Sequence, residues 1–495
     1  MGSSKRQPRL VDNSLGERGN YCTLSYHWHS DQLRTEKATL EQHKQEIPLT
    51  RLYAPISDAI FLTRELGICY LWVDALCICQ DDDEEKQTEI AKMDRIYHNS
   101  FLTISAIDSA LFVERKGHKR RNERRIRPRG RSDTRGWVLQ EQVLSRRVLS
   151  YSDGEVFWNC LQLRASEGCP SGISNLKDVQ TVSRSEANEW GEKELNIARE
   201  AITCHGFDDG IGGIWNGLVE DFTLRDLGKE EDRHNAMLGL ATAFGEAYAA
   251  KVVAGMLLQD LNQFVEQLIW WVLPPVSDWY WASDYSPKPL AASLFVRPDP
   301  MKLIAPTWSW LSMLGPVSYQ AIGIPNSGHD AIRGEERRLQ SRPEFSWSVK
   351  IHEVILDPCS THSNVMGSIR LTGLLTRARI RHSRTGSLFR WSPKERYGWF
   401  HVLGLEGRDF PPAGNVDLFS SSDMQQWSTW YPDIPPPPCS EIFCLHLGVH
   451  GPGFYDPSYS LCLVPTDAVD TYERIGMCNW KPVGNSGSLH TITIV

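Results

Sequence analysis

The chain is 495 residues long, with 41% hydrophobic residues and a formal net charge of -8, which allows two or three domains and a sizeable core and makes nucleic acid an unexpected partner. Its 12 cysteines follow no framework spacing, as in a protein of a reducing compartment. No secretory apolar segment opens the chain and the most apolar later stretch, 264–273, is too short to span a bilayer, so a cytoplasmic protein without a membrane partner is expected.

In chain order, Tyr21 to Trp28 (YCTLSYHW) is an apolar and β-branched run that predicts a first strand. Leu52 to Leu66 carries Ile56, Ala59, Ile60 and Thr63 at helical spacing after Pro55, a residue suited to a first turn. Tyr70 to Ile107 then reads as strand, acidic turn, helix and strand. Leu71, Trp72, Val73, Ala75, Leu76 and Ile78 form an almost unbroken apolar run, as in a strand covered on both faces, interrupted by Asp74. The acidic cluster Asp81 to Glu85 complements the open N–H groups of a following helix. Ile90, Met93, Ile96 and Tyr97 give that helix one apolar stripe, and Leu102, Ile104 and Ala106 alternate with polar residues in the next strand.

The stretch 115–131 holds Lys or Arg at ten positions and reads either as a solvated loop or as a nuclear-import or phosphate-binding patch. Arg135 to Leu144 (RGWVLQEQVL) predicts a helix, and Arg147 to Cys160 a strand pair around Ser152-Asp153-Gly154. With right-handed crossovers, the first 165 residues predict a doubly wound α/β domain with a five-stranded parallel sheet in flavodoxin-like order 2-1-3-4-5.

Five segments in register resemble the fungal heterokaryon-incompatibility (HET) domain: YCTLSYHW, LGICYLWVDALCICQDD (Leu66 to Asp82), EIAKMDRIY (Glu89 to Tyr97), LTISA (Leu102 to Ala106) and RGWVLQEQVLSRRVL (Arg135 to Leu149). Where the family usually has Cys-Trp-Gly after the first strand, this chain has His27, Trp28 and His29. The resemblance implies a role in fungal self/non-self recognition, in which the domain triggers programmed cell death. It also implies a remote likeness to the TIR fold, whose enzymatic members cleave NAD at the nicotinamide–ribose bond. There a glutamate follows a tryptophan by four residues on one helix, and Trp137 and Glu141 reproduce that spacing.

That likeness assigns the catalytic role to Glu141, with NAD as substrate rather than cofactor and no metal. Cleavage passes through an oxocarbenium-like state, which a single carboxylate beside the ribose can stabilise, and the cationic nicotinamide leaves without an acid. Tyr26, His27 and Trp28, at the carboxyl end of the first strand, would lie where open α/β sheets bind ligands, with Asp74 and Trp137 as the further substrate-binding groups. Plain alternatives stand beside each reading. Glu141 could pair on a helix surface with Arg146 or Arg147, Trp137 could be core packing, and Asp74 a buried carboxylate satisfied by loop amides. His27 and His29 suit a surface loop, and Cys77 and Cys79 suit buried thiols on one face of a strand.

Beyond residue 165 the expected organisation is a linker and helical region over 166–300 and a β-rich region over 301–495. Ser171 to Ala201 reads as a linker or exposed helix, and Glu231 to Leu273 as helical, with Leu257, Leu261, Phe264 and Leu268 near helical spacing. Strand signals dominate from Trp308 onward, in Phe345 to Leu356, Ser368 to Leu375, Phe443 to Leu447 and Leu461 to Val464, with a turn at Pro435 to Pro438. No P-loop, G-x-S-x-G or H-E-x-x-H motif occurs. Two functions of different class are therefore expected: an NAD-cleaving cell-death effector, or a non-catalytic module that assembles with copies of itself or with a partner cell-death protein.

Overall fold

The computed structural model describes residues 6–12, 16, 18–107, 131–152, 155–173, 189–204, 211–272, 304–319, 345–358, 365–382, 401–405, 427–433, 441–450, 458–478 and 488–495. The basic stretch 115–131, save Arg131, the Pro435 to Pro438 turn, and Asp153 and Gly154 lie outside them. The chain forms two compact units, one of Met1–Phe207 with Arg225–Ala247 and one of Asp208–Leu224 with Tyr248–Val495.

The first unit is built on a seven-stranded sheet, β1 (Tyr21–Tyr26), β2 (Tyr70–Trp72), β3 (Leu102–Ala106), β4 (Arg147–Ser152), β5 (Glu155–Cys160), β6 (Arg164–Ser166) and β7 (Cys169–Ile173), in the order β2-β1-β3-β4-β5-β6-β7. The first four are mutually parallel. The order 2-1-3-4-5 is the expected one, but β5 runs antiparallel to β4, so the sheet is mixed and not the five-stranded parallel sheet anticipated. The reason is length: two residues join β4 to β5, whereas a parallel crossover needs a dozen or more.

Between the strands lie α1 (Leu40–Gln45), α2 (Ala54–Glu65), α3 (Asp74–Cys77), α4 (Asp83–Ile90), α5 (Met93–Asn99) and α6 (Gly136–Leu144). Cys22, Leu24 and Tyr26 of β1 and Leu102, Ile104 and Ala106 of β3 form a core with Ile56, Ala59 and Ile60 of α2. This is the i, i+3, i+4 stripe read from the sequence. The alternate residues are buried as well, and two of their polar groups pair: Thr23 and Thr103 meet through their hydroxyls at 2.7 Å, and Thr103 meets Ser145, just past α6, at 2.5 Å.

Two local readings are corrected. The run Leu71 to Ile78 is not one strand, because β2 ends at Trp72 and Asp74 opens the helical turn α3. The Asp74 side chain accepts a hydrogen bond from the Ala75 N–H at 2.7 Å, a local bond that competes with the strand ladder. Cys77 and Cys79 therefore do not share a strand face; Cys79 is buried and Cys77 half-buried. The helix after the acidic cluster is also two helices. Asp82 caps α4 by accepting from the Glu85 N–H, but the chain tightens at Lys92, whose N–H bonds to Glu89 three residues back. As a result Met93 and Tyr97 are buried while Ile90 and Ile96 are only partly so.

Of the polar segment after β7, α7 (Glu189–Cys204) is a helix whose Leu195, Ala198, Ala201 and Ile202 are buried. Its Arg199 guanidinium donates to the Gln142 carbonyl at 2.6 Å and to Asn159 at 3.0 Å.

The second unit begins with α8 (Ile211–Thr223), while α9 (Arg233–Tyr248) belongs, up to Ala247, to the first. The predicted helix through Leu257 and Leu268 is replaced by a hairpin of β8 (Lys251–Val253) and β9 (Met256–Leu258) and a short 3-10 helix over Gln263–Leu268. The two hairpin-turn residues, Ala254 and Gly255, have φ of 45° and 71°, the left-handed pair of a type I′ turn. A Cβ on Gly255 would come within 2.6 Å of Leu311, so local backbone geometry overrides the helical spacing of the leucines. A short ribbon of β10 (Trp271–Val272) and β11 (Val317–Ser318) follows.

The β-rich region forms as expected: β12 (Phe345–Trp347), β13 (Lys350–Leu356), β14 (Gly367–His382), β15 (His401–Leu405), β16 (Trp427–Pro432), β17 (Glu441–His450), β18 (Ser458–Pro465), β19 (Thr471–Cys478) and β20 (Ser488–Ile494). Strands β17, β18, β19, β16, β15 and β14 follow one another and β14 pairs back onto β17, closing a barrel, with β20 pairing both β14 and β19. Trp215, Trp270, Trp308 and Trp310 are fully buried in this unit. Arg474, also fully buried, donates to Asp433 at 2.8 Å and to the Leu268 and Trp270 carbonyls.

Candidate functional site

Three short elements meet at the carboxyl end of β1. The strand supplies Ser25 and Tyr26 and runs directly into His27 and Trp28, the turn α3 supplies Asp74, and α6 supplies Glu141 with Arg135 as its N-cap residue. The Trp28 indole N–H donates to Asp74 Oδ2 at 2.7 Å. The second oxygen of Asp74 is taken by the Ala75 amide. Tyr26 is buried; its hydroxyl accepts from Gln32 Nε2 at 2.9 Å and faces Asp74. The Tyr26 carbonyl accepts from Arg135 Nη1 at 2.8 Å, fixing the guanidinium at the strand end.

Glu141 is 5% exposed, so the surface-pairing reading does not apply. Burial pushes its carboxyl up to about 7; the Ser25 and Tyr97 hydroxyls and Arg135 pull it back, while the Asp74 charge adds to the rise. Ser25 Oγ has no partner at normal hydrogen-bond distance, so its pull is that of a longer contact. The carboxyl of Asp74 is also raised by burial, against the opposing hydrogen bond from Trp28 and the charge of Arg135. Buried Glu141 thus feels the charge of half-buried Asp74, and the same guanidinium stabilises the ionised form of both. Tyr97 completes the group. Its hydroxyl donates to the Leu24 carbonyl at 3.2 Å, and its own acidity is suppressed by burial and by Glu141 and Asp74.

The structure brings together Tyr26, Trp28, Asp74 and Glu141 from the sequence-derived set. It does not bring in His27, which is exposed with Nδ1 at 2.8 Å from the Trp28 carbonyl. Trp137, half-buried, directs its indole N–H to Asp232. His29 stacks on Tyr53 with ring centroids 5.4 Å apart. Sequence reasoning missed Arg135, Tyr97, Ser25 and Gln32. Arg135 opens the segment that predicts α6, and an arginine at the head of an apolar helix is the signal for it. Tyr97 reads from spacing as a core residue, and its hydroxyl is what distinguishes it.

Chemically, the arrangement offers a carboxylate poised near neutral pH, a second carboxylate held by an indole, and two aromatic side chains beside them. Two carboxyls against one guanidinium favour a cationic ligand over an anionic one. Among the described residues no helix is long and apolar enough to cross a membrane.

Searches of the curated proteins and of the solved structures found no match. Glu141, Trp137 and Arg135 lie just beyond the family match, whereas Tyr26, Trp28 and Asp74 lie within it. Residues 21–133 match the family described as heterokaryon incompatibility protein (HET), and the first unit therefore carries a HET domain.

Proposed function

We propose that the chain acts in heterokaryon incompatibility as a trigger of programmed cell death, and that its HET domain does so by cleaving NAD, with Glu141 as the stabilising carboxylate. The observation that carries this reading is the buried Glu141 carboxyl, raised by the charge of half-buried Asp74, with Arg135 favouring the ionised form of both. A cationic nicotinamide entering beside them would draw Glu141 into its ionised form, where it can stabilise positive charge developing on the ribose. The bond from ribose C1′ to nicotinamide nitrogen breaks, and its electron pair neutralises the ring. Water then adds to C1′ and releases a proton. Trp28, held by Asp74, is the ring placed to stack on the base, and Tyr26 orients Asp74.

The test is nicotinamide release by the purified full chain and by Glu141→Gln, with viability and cellular NAD measured in a fungal host expressing each. The variant should lose roughly 10²-fold or more in cleavage, and killing should fall with it. Equal killing by both, with NAD undiminished in both, overturns catalysis and supports action by assembly with copies of itself or a partner.

A further inference from the structure

Cys444, Cys462 and Cys478 lie on three successive strands of the barrel, β17, β18 and β19, and all three are buried. Cys444 and Cys462 are directly opposed across the β17–β18 pairing, so their side chains share a face. On the other side, Ser460 opposes Cys478 and Gly476 opposes Cys462. Gly476 has no side chain, which leaves room for the Cys478 thiol to turn toward Cys462. The three Sγ atoms lie within 4.8 Å of one another, and none is in a disulfide.

We propose that these three thiols form a binding site for a thiophilic d10 metal ion, zinc or copper(I), in the β-rich unit, which no part of the HET-domain chemistry uses. At a metal–sulfur distance of about 2.3 Å, three thiolates around one ion stand about 3.8–4.0 Å apart, so each sulfur needs to move by roughly half an ångström or less. Soft ligands in a dry setting select this class of ion over the hard cations. On binding, three S–H bonds break and three metal–sulfur bonds form. The three protons pass to water, with no change of oxidation state. Arg474, on the same strand as Cys478, feels the charge of Cys462. His446, two residues from Cys444 and buried, has Nδ1 3.4 Å from Ser460 Oγ. Neither belongs to the group of three, so zinc, which prefers four ligands, would draw a fourth donor from outside the thiols, whereas copper(I) is content with three.

The experiment loads the full chain, purified reduced and metal-free, with zinc ion or with cuprous ion, and measures the ion retained after gel filtration and its X-ray absorption. The expected result is one ion per chain with three sulfur neighbours at about 2.3 Å. A nitrogen or oxygen fourth neighbour marks the zinc arm, and sulfur alone the copper arm. Cys462→Ala and Cys478→Ala should each lower affinity by about 100-fold or more, while Cys22→Ala, a buried cysteine of the first unit, should leave it unchanged. The absorption spectrum of wild-type protein keeps the test valid if an alanine variant fails to fold. Retention no greater than in the triple alanine variant, a spectrum without sulfur, or a disulfide among the three thiols in the reduced chain would overturn the proposal.

Discussion

Trp28 and Asp74 stand 46 positions apart in the chain, yet the indole N–H of one meets a carboxylate oxygen of the other at 2.7 Å. This bond ties the end of β1 to the first turn of α3, so it sets both the ring and the carboxylate of the candidate site. Trp28→Phe keeps an aromatic ring and removes the donor. Its expected cost is ~1–3 kcal/mol, the range for a hydrogen bond to a charged group. The loss should be larger at pH 8 than at pH 3, because the Asp74 carboxyl, already raised by burial from its ordinary 3.8, rises further without its donor and is more costly to ionise. Chemical unfolding at the two pH values measures it, and equal stability to wild type at both would mean that the bond is made no better than its water alternative.

Glu141 gives a pH signature of its own. Its carboxyl is raised from 4.5 to about 7 in the fold, so the folded chain holds a proton that the unfolded chain has released. The stability from keeping Glu141 neutral is fully present below pH 4.5 and is lost as pH rises toward 7, by ~3 kcal/mol in all at 1.36 kcal/mol per pH unit. Glu141→Gln removes the titrating group and keeps the shape. The variant should match wild type near pH 4 and exceed it at pH 8. Parallel stability curves for the two across that window would show that Glu141 is solvated.

Val73 tests the core where the strand reading failed. It is 2% exposed, in extended backbone between β2 and α3. Val73→Asp buries a carboxylate without a partner at a cost of several kcal/mol, comparable with the whole stability of an ordinary domain. Circular dichroism and protease resistance of the first unit report it, and a soluble variant with wild-type unfolding would place Val73 at the surface.

What the sequence made legible was what short-range pattern controls. Pro55 and the Ile56, Ala59, Ile60 stripe located α2, and the acidic cluster located the start of α4, because first-turn chemistry and 3.6-residue spacing are local. Asp74 was visible as the odd residue in an apolar run. That it turns the chain into α3 depended on one side-chain bond to Ala75 that hydropathy does not encode. The leucines after Tyr248 have helical spacing, but the left-handed Ala254-Gly255 pair makes a hairpin of them. In the site, Asp74 stood out as a carboxylate in an apolar run and Glu141 by its four-residue spacing from Trp137. Arg135 and Tyr97 did not, since their part rests on contacts to the Tyr26 and Leu24 carbonyls, far away in sequence.

Arg474 and Asp433 are the corresponding polar pair of the second unit, both completely buried and joined at 2.8 Å. The guanidinium also donates to the Leu268 and Trp270 carbonyls and stacks 3.3 Å from the Trp270 ring centroid. Burial lowers its affinity for the proton, and Asp433 opposes that fall. Arg474→Met preserves the length of the side chain but strands a carboxylate and two carbonyls, for an expected loss of ~3–5 kcal/mol. Asp433→Leu strands the guanidinium and should cost a similar amount. The double variant removes both charges, so its loss should fall well short of the sum of the two, leaving mainly the unmade carbonyl bonds. Unfolding of the four proteins in urea closes this cycle. Additive losses would mean that the two side chains stabilise the barrel independently, each through its own contacts and not through the ion pair.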